Sequence, residues 1–236
     1  MPQGLEVDGG RAVAPVRALA IVGQLTDLGV AQRLVKGFGA GAGLGVQVQQ
    51  ATLVLARGEF DFNAQWTGWA AAGMRRGKED NRLSGLTLSS AAGDATVNRF
   101  DNTRENHIQT GELGLRGQFA TGAITHAVVA SLNLFDSSER NAWGYNYGTG
   151  LSNNIYQPVA LTPPPLTGFG GILGSPRETE RIKNTSLAVA DTLGFMDDRV
   201  RLTLGLRHQT IEVEGFDATT GASSGQYEKS RVTPVA

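Results

Sequence analysis

The chain has 236 residues, a formal net charge of −1, 18% charged residues and no cysteine. So small a charge excludes the basic footprint that nucleic-acid binding needs, and zero cysteines exclude disulfide scaffolds, thiolate metal sites and cysteine nucleophiles. No window offers the roughly 18 consecutive apolar residues of a membrane-spanning helix, and 32 glycines favour a turn-rich β protein.

At the amino terminus "MPQGLEVDGG" carries acids where an export signal carries Lys or Arg, and "AVAPVRALAIVG" has the wrong flanks, so no export signal is expected in this chain. Residues 1–46 form an unassigned Gly-rich segment. Within it "GFGAGA" (37–42) fits the loose Gly-x-Gly-x-x-Ala form of a dinucleotide loop. That chemistry needs a strand before the loop and a helix after it. "GVAQRLVK" precedes it and a strand follows soon after, so a flexible linker is the better account.

Residues 47–236 are predicted to form one all-β domain of antiparallel strands. "TLVLARGEF" (52–60) and "QWTGWAAAGMR" (65–75) flank a short turn, as do "GELGLRGQF" (111–119) and "ITHAVVASLNLF" (124–135). A third pair, "TSLAVADTLGF" (185–195) and "VRLTLGLRHQT" (200–210), flanks "MDDR". The segments 77–107, 136–183 and 214–230 are long, polar and read as loops. Short and long connections therefore alternate, which is the pattern of an outer-membrane barrel with short periplasmic turns and long extracellular loops. Strands of about 9 to 12 residues fit a tilted crossing of the hydrocarbon layer.

Side-chain alternation assigns faces. Val200, Leu202, Leu204 and Leu206 share one side of a strand, and Arg201, Thr203, Gly205 and Arg207 share the other. Likewise Leu113, Leu115 and Phe119 oppose Glu112, Arg116 and Gln118. An arginine facing lipid at the midplane costs about 2 to 4 kcal/mol, so Arg116, Arg201 and Arg207 are expected to face a polar lumen, with Glu112 balancing their charge.

One stretch has binding character. "NAWGYNYGTGLSNNIYQP" (141–158) places Trp143, Tyr145, Tyr147 and Tyr156, beside Arg140, in a polar extracellular segment suited to a ligand, with Arg140 attracting an anionic one. His107, His126 and His208 are too scattered for a metal site, and no Gly-x-Ser-x-Gly elbow is present. Neither a resident metal nor enzyme chemistry is expected.

"EFDFNAQWTGWAAAGMRRGKEDNRLSG", "AAGDATVNRFDNTRENHIQTGELGLRGQF", "NTSLAVADTLGFMDDRVRLTLGLRHQTIEVEGFD" and "YEKSRVTPVA" together resemble the barrel domain of TonB-dependent siderophore receptors. The resemblance implies a fragment of a 22-stranded, plugged transmembrane barrel of the Gram-negative outer membrane. It implies binding and import of ferric siderophores, with iron carried by the chelator and no protein cofactor. It also implies work done by the TonB-ExbB-ExbD complex on parts this chain lacks. Six strands are visible, with a seventh beginning at Val232. The alternative is a soluble or secreted all-β ligand-binding module, a sandwich with long loops, which would bury the aliphatic faces in its own core.

Overall fold

In the computed structural model the described residues are 16–25 and 46–235, and among them every regular element is a strand. In chain order these are β1 (Val16–Leu25), β2 (Val46–Asp61), β3 (Trp66–Leu88), β4 (Asp94–Thr121) and β5 (Ile124–Asn154). The short β6 (Gly168–Gly170), then β7 (Arg177–Phe195), β8 (Val200–Phe216) and β9 (Ser223–Val235) complete the set. All nine belong to one antiparallel sheet ordered β1-β2-β3-β4-β5-β7-β8-β9, with β6 added to β5. Each long strand pairs with its neighbours in sequence, as in an up-and-down barrel wall.

The three short turns appear where the sequence places them, at 62–65, 122–123 and 196–199, all at one end of the sheet. The long polar segments differ from expectation. They are not loops for most of their length but continuations of the ladder. Strands β3, β4 and β5 run 23, 28 and 31 residues, far beyond the 9 to 12 expected. The Asn, Thr, Ser and charged residues there carry no hydrophobic alternation, because both of their faces meet polar surroundings. Cross-strand pairs hold them extended instead. Lys78 reaches Glu105 at 3.4 Å, Thr103 donates to Asp80 at 2.9 Å and Arg104 pairs with Glu139.

Strand β1 lies inside the segment left unassigned and pairs with β2 from Val16↔Phe60 to Leu25↔Ala51. Strand β9 begins at Ser223, ahead of the expected Val232. The "GFGAGA" stretch lies outside the described residues.

Register converts single-strand alternation into two sheet-wide faces. Leu113↔Leu132, Leu132↔Leu187 and Val189↔Leu206 stand side by side on one face, with Met74, Val128, Leu202 and Leu204. These side chains meet no second layer. Leu113, Leu187 and Leu206 are 57%, 58% and 54% exposed, and the buried apolar residues among those described are only Ala95, Val97, Ala142 and Ala218. A sandwich of two sheets would have buried this face, at about 25 cal/mol per Å².

From Ile124 to Leu134 the aliphatic face spans ten residue steps along β5, about 33 Å of strand and about 25 Å of height at a barrel tilt of ~40°. Its border at the short-turn end is aromatic. Trp66 stacks on Phe119 at 6.4 Å between ring centroids, and Phe119 stacks on His126 at 4.7 Å. Trp66 lies flat over Gly117, where a Cβ would sit 2.4 Å from the indole. His126 also meets Asp191 at 2.7 Å, so the one acid on this part of the face has a partner across the strand pair.

Candidate functional site

The opposite face carries most of the charged and amide side chains, with Leu55, Val129 and Phe135 among them. Near the short turns Glu59 accepts from Arg57 and from Arg116, each at 2.8 Å, while Trp69 Nε1 donates to Glu112 at 2.5 Å and Arg57 stands 5.7 Å over the Trp69 ring. Arg201 and Arg207 lie on this same face, since Gly194↔Arg201 and Ala188↔Arg207 continue the rows. Arg116, Arg201 and Arg207 thus share the face opposite the aliphatic one. The expected charge partner for them is not the one found. Glu112 serves Trp69, whereas Arg201 meets Asp198 at 3.6 Å and Arg207 donates to Ser186 Oγ at 3.1 Å.

Higher up, Asn81 pairs with Asn102 on this face, and the Asn102 amide donates diagonally to the Asn141 side chain at 2.5 Å, Asn141 itself pairing with Arg104. Above it Phe100 pairs with Tyr145 and Asn102 with Trp143, so three aromatics gather on the polar face at the tall end. Trp143 and Tyr145 are strand residues of β5 and not loop residues. They sit in register with Gly170 and Gly168 of β6. A Cβ on Gly168 would lie 2.3 Å from the Tyr145 ring, and one on Gly170 would lie 2.1 Å from the Trp143 indole. The glycines of "GFG" are therefore what lets β6 pass across both rings. Nearby Asn146, 1% exposed, donates to the Pro165 carbonyl at 2.5 Å, and Arg99 reaches the Pro164 carbonyl at 3.3 Å. A strap from 155 to 176 is thereby tied down over the hairpin.

The other sequence candidates separate. Tyr156 follows β5 at the hairpin tip, 70% exposed, its ring against Gly93. The Tyr147 side chain lies outside the described residues. Arg140 pairs with Glu105 on the face opposite Trp143 and Tyr145, so it does not join the aromatic group. One position in a strand reverses the direction of a side chain, and no loop carries Arg140 around. Sequence reasoning passed over Trp69, Glu59, Phe100 and the two glycines of β6. A signal was available in "GFG", a Gly-x-Gly spaced to lay both glycines on one side of a strand.

Two tall-end acids are held ionised. The Ser90 hydroxyl, at 2.7 Å, and the Asn154 amide keep the Asp94 carboxyl below its ordinary value. Thr220, through its backbone N–H at 2.7 Å and its hydroxyl, and then Thr219 do the same for Asp217. No cluster of three or more His, Asp or Glu positioned for a metal occurs among the described residues.

A two-faced, strictly sequential sheet with tall hairpins at one end is the wall of a transmembrane barrel, and the comparisons agree. The family described as "TonB dependent receptor-like, beta-barrel" matches residues 24–236, and the chain belongs to it. The chain is 31% identical over 186 residues to the ferrichrome receptor FcuA of Yersinia enterocolitica, a match covering 79% of this chain and 24% of that receptor. It thus spans about a quarter of the relative's length (24%). Among solved structures it resembles BauA, the ferric preacinetobactin receptor of Acinetobacter baumannii, with TM-score 0.62 and 25% identity over 80% of this chain and 28% of that one. The fold is shared with the ferric-catecholate import receptor Fiu of E. coli K12, with TM-score 0.56 and 19% identity over 80% of this chain and 32% of that one. Both sets of matches favour the barrel fragment over the soluble module.

Proposed function

We propose that this chain is part of the wall of an outer-membrane receptor of a Gram-negative bacterium that binds and imports ferric siderophores. The observation that carries this reading is the division of one sheet into an aliphatic band about 25 Å tall and a polar face crowned by Phe100, Trp143 and Tyr145. The aliphatic face meets lipid. The polar face, with Arg116, Arg201 and Arg207, lines the lumen. The three aromatics offer flat area with a polar edge to a chelate entering from outside.

Iron travels inside the chelator, so the wall supplies no metal ligand and no covalent chemistry. Its residues bind and orient. Energy for release comes in the complete receptor from the TonB-ExbB-ExbD complex. The relative FcuA is named as a ferrichrome receptor, which makes ferrichrome the first chelate to try.

The test uses the 236-residue chain folded in detergent and radioiron-loaded ferrichrome, with retained iron measured by filtration. Saturable retention that weakens about tenfold in a Trp143→Ala/Tyr145→Ala variant is the expected result. Equal retention of the iron-free chelator, or none of either, overturns it.

A further inference from the structure

Arg140 leaves the aromatic group and arrives somewhere specific. On the aliphatic side of the sheet, one row above Met74 and Val54, stand Thr52, Arg76, His107 and Ser138. In the next row are Gln50, Lys78, Glu105 and Arg140. These eight side chains line a concavity of about 560 Å³. Three cations there face one carboxylate. Glu105 is engaged by Lys78 at 3.4 Å, and Lys78 is also 3.9 Å from Asp80. Arg76 and Arg140 enter no ion pair among the described residues. The nearest other charges on this face are Asp136, one row below, Asp80, one row above, Glu178, which pairs with Arg140 across β5 and β7 but is engaged by Arg181 at 2.8 Å, and Arg181 itself.

Height decides what this hollow meets. It begins where the aliphatic band ends, so the chemistry at its level is that of lipid headgroups and not acyl chains. Two guanidiniums with free donor edges are built for oxyanions, which they grip through paired N–H bonds. Thr52 and Ser138 hydroxyls and the Gln50 amide add neutral donors around them. Basic pockets at a membrane border take anionic headgroups for this reason.

We propose that Arg76 and Arg140 form a phosphate-binding site for a lipid headgroup on the outside of the barrel wall, in the leaflet on the tall-hairpin side. The inference rests on the aliphatic face meeting lipid and is independent of which chelate the lumen takes. The phosphate replaces water on two unpaired arginines, and the acyl chains of the same lipid lie against Met74, Leu134 and Leu187 below.

The experiment places the full chain in nonionic detergent micelles doped with phosphatidic acid or phosphatidylcholine and measures bound lipid after exchange. Expected is selective retention of phosphatidic acid, weakened by added salt and reduced about tenfold in Arg76→Gln/Arg140→Gln. Arg199→Gln, at the other end of the sheet, should leave retention unchanged, and Arg76→Lys/Arg140→Lys should keep most of it. Equal binding of the two lipids, or a glutamine variant as good as the parent, overturns the site. So does a loss in the lysine variant equal to that in the glutamine variant, or full competition by inorganic phosphate at matched concentration. Iron-chelate retention measured on the same samples stays at the parental level if only the lipid site is lost.

Discussion

Glycine decides where the aromatic residues of this wall lie. Trp69 rests on Gly114, where a Cβ would come within 2.0 Å of its ring, and Tyr145 rests on Gly168. A side chain at either place has to evict an indole or a phenol from the sheet surface. Gly168→Val is therefore expected to free β6 from β5 and to speed proteolytic nicking within 155–176, with the rest of the ladder intact. Trimming of the strap followed on a gel checks this. The Asp94 and Asp217 carboxylates make a second prediction. Their native pKa values lie below the unfolded ones, so their support is complete above about pH 4, where an unfolded carboxylate is ionised. It is lost as pH falls through the lower native values. Amide protection factors at 89–94 and 217–222, exchange rates divided into their intrinsic rates at each pH, should fall below pH 4 and stay level from pH 5 to 8. At this scale sequence told which residues were polar or aromatic, and often which face they took. It did not tell which partner each would choose. Arg201 finds Asp198 three residues back around the turn, and Glu112 finds the indole of Trp69, 43 residues away in sequence, a cross-strand distance that no spacing in the chain encodes.

The turn between β7 and β8 holds three consecutive residues in the left-handed region, Met196, Asp197 and Asp198, at φ 53°, 55° and 63°. Such a conformation costs about 1 to 2 kcal/mol per ordinary residue, less for Asp. Thr125 offsets part of that by donating to Asp198 at 2.5 Å, across a Gly194 whose missing Cβ leaves room for both oxygens. Met196 is 73% exposed and packs on little. Met196→Gly should stabilise the folded chain by about 1 kcal/mol, and Thr125→Val should destabilise it by a similar amount. Denaturant unfolding in detergent measures both. "MDDR" was legible as a turn from its aspartates. The strand ends at the other side of the sheet were not legible, because 77–107 and 136–183 are polar on both faces and alternation vanishes exactly where pairing continues. Cross-strand ion pairs such as Lys78 with Glu105 involve residues 27 positions apart in sequence, and a single strand gives no sign of them.

For the whole molecule, the aliphatic face fixes the solvent. With Leu113, Leu187 and Leu206 more than half exposed, the chain should partition into detergent or lipid and aggregate when the detergent is withdrawn. Sedimentation before and after detergent removal measures that, and a stable monomer in plain buffer would contradict a lipid-facing surface. The two faces, the sequential pairing and the short turns were all visible in the sequence, since period-2 alternation is a local property. The phosphate hollow was not, because it draws one residue or more from each of four strands. The order β1-β2-β3-β4-β5-β7-β8-β9 has one more consequence. Because no strand crosses over another, a stretch of gene that begins and ends at short turns encodes a self-contained pair of crossings. Copying or deleting such a stretch changes the circumference by two strands and leaves every remaining side chain facing the same medium. A wall of this order can therefore grow or shrink by whole hairpins without turning any side chain from one medium to the other.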